Sequence, residues 1–205
     1  MSDMSTMWDD RYAAPEYSYG TQPNDFLRHA RMFLPASGRV LCVGEGEGRN
    51  AVWLATEGFD VTAVDLSKVG LAKAKLLAEA AGVKLDTIHA DLADFDLGKA
   101  KWDVIVSIWC HLPSHVRQSL HTRVVAALAP GGTFVLEAYT PGQIHRSSGG
   151  PKQADMLMTA NGLAKELQGL RFYSVKETMR MVHEGIFHNG DSDVVQLIAV
   201  KPAAE

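Results

Sequence analysis

The feature that most constrains this chain is a short apolar run that breaks into closely spaced glycines, Val40-Leu41-Cys42-Val43-Gly44-Glu45-Gly46-Glu47-Gly48-Arg49-Asn50. It reads as a strand, a tight turn, and a helix opening at Gly48 and running through Ala51, Val52, Trp53, Leu54 and Ala55. Without a Cβ, Gly44 and Gly46 let the backbone lie close against a ligand, and Gly48 lets the helix start pack on the strand. The next strand, Asp60 to Asp65, ends in a carboxylate at its C-terminal tip. That is the edge at which open parallel sheets bind ligands, so Asp65 is placed to accept hydrogen bonds from a ribose diol.

The dinucleotide fingerprint is Gly-x-Gly-x-x-Gly, shaped to admit a pyrophosphate. Here the spacing is Gly44-x-Gly46-x-Gly48, one residue shorter, with Glu45 and Glu47 inside the loop. Two carboxylates repel a pyrophosphate, whereas S-adenosylmethionine carries a sulfonium, an ammonium and a carboxylate but no phosphate. The loop chemistry favours the methyl donor.

Gly44 to Asn50 with Asp65, followed by His89-Ala90-Asp91-Leu92, Trp102-Asp103-Val104-Ile105-Val106-Ser107 and Leu128-Ala129-Pro130-Gly131-Gly132-Thr133-Phe134, resembles the class I S-adenosylmethionine-dependent methyltransferases over most of the chain. The resemblance implies an α/β fold, a single Rossmann-like doubly wound domain over residues 1–205 with a seven-stranded, mostly parallel sheet and an antiparallel last strand. It implies S-adenosylmethionine as cofactor, held by Gly44, Glu45, Gly46, Gly48, Asn50, Asp65, Leu66, Asp91, Leu92, Ser107, Ile108 and Tyr19. Asp91 matches the acid that meets the adenine amino group; by spacing alone it reads equally as the cap of a short turn. One position departs from the family. An acid usually stands two residues before the first glycine, and this chain has Cys42 there, so Glu45 is the candidate to substitute.

With 205 residues, 46% of them hydrophobic, the chain suits one well-filled domain. A net charge of -4 and the lack of a lysine-arginine run remove the electrostatic footprint of a nucleic-acid binder, leaving a small-molecule acceptor as the expected partner. Cys42 and Cys110 each lie in an apolar strand pattern, which fits a reducing compartment rather than a disulfide framework. No leader pattern and no membrane-length apolar run is read, so a cytoplasmic protein is expected. The sequence does not give the oligomeric state.

Along the chain, residues 1–24 form an N-terminal arm whose stretch from Trp8 to Asn24, aromatic-rich and broken by Pro15, Gly20 and Pro23, reads as irregular; Trp8, Tyr12, Tyr17 and Tyr19 either pack on the body or together cover the cofactor as a lid. Asn24 or Asp25 caps a helix through Leu34, Ser67 caps one through Ala81, and a third strand runs from about Lys84 to His89. Strand four spans Val104 to Ile108, a helix opens at Ser114 or His115, and strand five covers Thr133 to Tyr139. Residues 140–158, rich in glycine and proline, read as a second lid. A helix near Asn161 to Leu167 precedes strand six, Phe172 to Val182, a turn at Asn189-Gly190-Asp191, and strand seven, Val194 to Val200.

His111, just past strand four, is the expected catalytic residue, orienting or deprotonating the acceptor; an isolated histidine there reads equally as structural. His183-Glu184 with His188 lacks metalloprotease spacing, and no metal is expected. Arg146 and Arg180 read either as anion contacts or as salt-bridge partners. The arm from Trp8-Asp9 to Tyr19-Gly20, Pro23-Asn24, the Gly-Arg-Asn ending at Asn50, Ala51 to Ala55 and the loop with Gly149-Gly150-Pro151 resemble the tellurite-resistance and thiopurine methyltransferase group. That resemblance implies transfer to a small soft nucleophile: a thiol, sulfide, selenium or tellurium compound. A nicotinamide-dependent oxidoreductase and a non-catalytic S-adenosylmethionine-binding protein are the alternatives.

Overall fold

The computed structural model describes residues 2–203, with side chains from Met4 onward. Seven strands form one sheet in the order β3-β2-β1-β4-β5-β7-β6. β1 (Arg39–Val43), β2 (Asp60–Asp65), β3 (Asp86–His89), β4 (Trp102–Ile108) and β5 (Leu128–Tyr139) run parallel. β7 (His188–Val200) runs antiparallel to both β5 and the edge strand β6 (Arg171–Glu184). This is the expected mostly parallel sheet with an antiparallel last strand.

The central strands are apolar on both faces because helices cover both. In β1, Leu41 and Val43 face one core with Ile105, Phe134, Leu136 and Leu197, closed by α5 (Ser114–Ala127) and α6 (Ala160–Glu166). Val40 and Cys42 face the other with Val104, Val106 and Val135, under α2 (Asp25–Ala30), α3 (Arg49–Thr56) and α4 (Lys68–Ala80). Two caps follow the sequence signal. Asn24 Oδ1 accepts the Leu27 N–H at 2.9 Å, and Ser67 Oγ accepts the Gly70 N–H at 3.0 Å.

Three expectations are corrected. Residues Ser2–Tyr12 form a helix, α1, not an irregular arm. Docking makes it one: Asp9 Oδ1 accepts the Ser67 hydroxyl at 2.5 Å and the Val69 N–H at 3.2 Å, so α1 caps α4 from outside. The β6–β7 turn lies at Gly185–Phe187, with Asn189, Gly190 and Asp191 inside β7. There the Ile186 N–H donates to the Ser18 carbonyl at 2.9 Å, so a tertiary contact with the arm fixes the turn. Cys110 lies past the end of β4 rather than within it.

The chain leaves β1 toward β2 on one side, while β4 pairs on the other. The crevice at this reversal, between the C-terminal ends of β1 and β4, is where open α/β sheets bind ligands.

Candidate active site at the sheet reversal

The glycine turn follows β1, with Gly44, Gly46 and Gly48 all at positive φ (64°, 63° and 92°). A Cβ on Gly44 would stand 2.7 Å from Cys110 Sγ, and one on Gly46 would stand 2.5 Å from the Tyr12 hydroxyl. Thus Cys110, after β4, and Tyr12, at the end of α1, lie directly on the turn. Its other side is set by Asp65: Oδ2 accepts the Gly46 N–H at 2.7 Å and Oδ1 the Ser67 N–H at 2.8 Å. Burial raises the Asp65 carboxyl above its usual range, and these backbone donors offset part of the rise. Each carboxylate oxygen has a second lone pair, so both can accept a ribose hydroxyl as well.

Glu45 turns back beneath the loop. Its Oε1 accepts the Asn50 and Ala51 N–H groups, both at 2.9 Å, capping α3 where Gly48 has no side chain to do so. Its carboxyl also meets the Cys42 thiol, placing an acid beside the position where the resemblance expects one. Burial pushes Glu45 up to about 7, against the pull of the Ala51 and Asn50 N–H groups and of Arg49. Glu47 is paired with Lys73 at 2.5 Å. The Lys73 ammonium also donates to the Ala14 carbonyl at 2.9 Å and the Glu16 carbonyl at 2.6 Å, binding the arm to the turn.

Of the remaining expected donor residues, Leu66 accepts the Ser5 hydroxyl through its carbonyl at 3.2 Å, bringing α1 to the tip of β2. Asp91 Oδ1 caps the next turn through the Ala93 N–H at 2.9 Å, and Leu92 is buried in the core beside it. Ser107 and Ile108 are buried at the end of β4, with the Ser107 hydroxyl against the Cys110 thiol. Asn50 is turned away from the turn. Its Oδ1 accepts the Asn24 N–H at 2.9 Å and anchors the entry to α2.

His111 does not have a free nitrogen. Nδ1–H donates to the Trp109 carbonyl at 3.0 Å, and Nε2 accepts the Tyr139 N–H at 2.9 Å. The ring therefore staples the end of β4 to the end of β5, and burial lowers its pKa to about 4. This geometry opposes the expected role in acceptor deprotonation, because the lone pair a base would use is already engaged.

The sequence reading missed the aromatic cluster beside it. Trp109 has a left-handed φ of 58°, sparsely populated for a residue with a Cβ and costing about 1–3 kcal/mol. Its ring stacks on Tyr139 at 4.3 Å and meets His188 edge-on at 5.2 Å, while Tyr19 packs on His188 at 4.6 Å. Beneath lies a buried ion network. Arg180 binds Glu137 through Nε (2.9 Å) and Nη2 (2.7 Å), and Glu184 receives Arg49 (2.5 Å), the Trp109 indole N–H (2.6 Å), Asn24 (2.8 Å) and Arg180 (3.0 Å). Arg180 is thus a salt-bridge partner, as is Arg146 with Asp193. The one signal in sequence was Glu137, an acid inside the apolar run of strand five. Glu184 and His188 face each other across β6 and β7 while His183 is exposed against the Asn189 side chain, and no group of three or more His, Cys, Asp or Glu side chains among the described residues is set to hold a metal.

The fold and the glycine turn define a class of structure: a doubly wound, Rossmann-like α/β sheet with Asp65 at the ligand edge of its reversal. Residues 40–132 match the model of a family described as a methyltransferase domain. A protein of Geobacillus sp. (strain WCH70) with a provisional methyltransferase name is 35% identical over 108 residues, 50% of this chain and 42% of that protein. The chain thus matches less than half of that relative's length. Among solved structures, one titled for conversion of a disulfide bond into a thioacetal group during echinomycin biosynthesis aligns with a TM-score of 0.79 at 18% identity, covering 98% of this chain and 93% of the other. TehB from Haemophilus influenzae aligns at 0.71 and 20% identity, over 96% of this chain and 66% of TehB. At such identities these two establish the fold alone. No helix among the described residues is long and apolar enough to cross a membrane.

Proposed function

We propose that the chain is a methyltransferase, working as one domain in the cytoplasm, that moves a methyl group from S-adenosylmethionine to a small soft nucleophile. The observation that carries the donor reading is the Asp65 clamp on Gly46 and Ser67 at the sheet reversal. Asp65 would hold the ribose hydroxyls. The donor supplies an electrophilic methyl; the protein supplies orientation and exclusion of water. Residues 1–24 serve as its lid, through Tyr12 on Gly46 and Tyr19 on His188.

A small acceptor is favoured because Trp109, Tyr139 and His188 bring a compact aromatic cluster to the end of β4, and because a chain of net charge -4 without a lysine-arginine run lacks the footprint of a nucleic-acid binder. The soft-nucleophile class, a thiol, sulfide, selenium or tellurium compound, rests on the resemblance to the tellurite-resistance and thiopurine group and on the likeness to TehB. Calorimetric titration with S-adenosylmethionine and with a reduced nicotinamide cofactor separates the donor reading from the oxidoreductase alternative. Release of S-adenosylhomocysteine over a panel of thiols, alcohols and amines then tests the acceptor class. Donor binding with no transfer to any acceptor would leave the non-catalytic alternative.

A further inference from the structure

Beneath the loop at 146–153 the fold buries two polar atoms that it does not use. The Tyr139 hydroxyl and His188 Nδ1 have no hydrogen-bond partner, although Tyr139 is fully buried and His188 is 7% exposed. The Ser192 hydroxyl lies against that of Tyr139 and offsets part of the rise that burial imposes on its pKa, while the Ser192 proton itself is directed to Ser148 and the Gly190 carbonyl. A buried polar group left without a hydrogen bond is destabilising, so two in one cluster call for a missing partner. The rings meet edge to face at 5.4 Å, against the Trp109 wall.

Two glycines roof the cluster. A Cβ on Gly149 would stand 2.6 Å from His188 Cδ2 and 3.2 Å from the Tyr139 hydroxyl, and one on Gly150 would stand 2.5 Å from Tyr139 Cδ2. The cluster also adjoins the donor turn. Trp109 and Cys110 are consecutive, the first stacked on Tyr139 and the second lying on Gly44.

We infer that Tyr139 and His188 form the acceptor subsite, closed by Gly149-Gly150, and that it takes the acceptor as a neutral thiol or its heavier analogue, with X–H donating to His188 Nδ1 and Tyr139 O–H donating to X. This rests on the methyltransferase reading above. The groups facing His188 are Glu184, which favours its charged form, and Arg49, His111 and Arg11, which oppose it; burial outweighs all of them and lowers its pKa to about 3. A weak base is sufficient at this position. As X–CH3 forms and the donor's sulfur–methyl bond breaks, X becomes cationic and its proton strongly acidic. That proton passes to His188, and one positive charge is lost at the donor sulfur as one is gained on imidazole beside Glu184.

The test uses an aryl thiol and an alkyl thiol with well-separated ionisations. The expected kcat/KM for each falls as pH rises through that thiol's own pKa, because the neutral form is the one admitted. Tyr139→Phe and His188→Phe lower kcat/KM at least tenfold, His188→Asn, which restores a polar atom near Nδ1, recovers part of the loss, and donor affinity by calorimetry is unchanged. Apart from activity, Tyr139→Phe melts no lower than wild type, since it removes an unpaired hydroxyl, and loses the thiol-induced rise in melting temperature seen in wild type with S-adenosylhomocysteine. A rate that rises through the thiol pKa, wild-type kcat/KM in Tyr139→Phe, or a lowered melting temperature for that variant overturns the subsite. Failure of wild type to bind the donor overturns the methyltransferase reading instead, and the ligand-free melting temperature of Tyr139→Phe still decides whether the Tyr139 hydroxyl is unpaired.

Discussion

Asp65 Oδ2 holds the Gly46 N–H at 2.7 Å, so the tip of β2 shapes the glycine turn before any donor arrives. The same carboxylate that would bind ribose therefore also preorganises the loop that would meet the rest of the donor. Asp65→Ala should weaken S-adenosylmethionine binding about ten- to a hundredfold, the loss of charge-assisted bonds worth roughly 1.5–3 kcal/mol. Calorimetry on the folded variant reads it; undiminished affinity would falsify the assignment.

His111 predicts acid sensitivity rather than a catalytic ionisation. Its folded pKa, about 4, lies below the unfolded value because burial disfavours the charged ring. Below about pH 6.5 the unfolded chain binds a proton that the folded ring refuses, so stability is complete above that pH and declines as pH falls toward 4. The decline is on the order of 3 kcal/mol for this group, and His188 adds to it in the same direction. His111→Gln, whose amide oxygen can still accept the Tyr139 N–H, should show a shallower decline in urea melts at pH 7 and pH 5 while keeping kcat within about tenfold. A fall of about 10² or more in kcat would restore a proton-transfer role.

The arm is tied to the donor turn through Tyr12, Lys73 and Tyr19, so donor binding and arm order should be linked. Hydrogen exchange across residues 8–21 should slow on adding S-adenosylhomocysteine, and Lys73→Met should speed it in the free protein. Exchange indifferent to ligand would reduce α1 to a packing element.

Two arginines separate buried from surface ion pairs. Arg180→Ala strands Glu137, which is fully buried, and should destabilise by about 3–5 kcal/mol. Arg31→Ala breaks a partly exposed pair with Glu57 at 3.1 Å and should cost under about 1 kcal/mol. Comparable losses in chemical denaturation would mean that the Glu137–Glu184 network is hydrated.

The sequence by itself determined what local chemistry dictates. Glycine spacing, a carboxylate at a strand tip, Asn24 and Ser67 as caps, and strands apolar on both faces are properties of neighbouring residues, and they led to the sheet and to Asp65. Tertiary structure decided what depends on distant partners. α1 is helical because Asp9 reaches α4, and the last turn falls at Gly185 because Ser18 meets it. His111 is a staple because both its nitrogens find backbone groups across two strands. Residues 19, 109, 139 and 188 carry no shared pattern in the chain, and only the sheet reversal brings their rings together. The physical reason is range: propensity and capping act over a few residues, whereas desolvation and unpaired polar atoms belong to a site assembled from segments far apart in sequence.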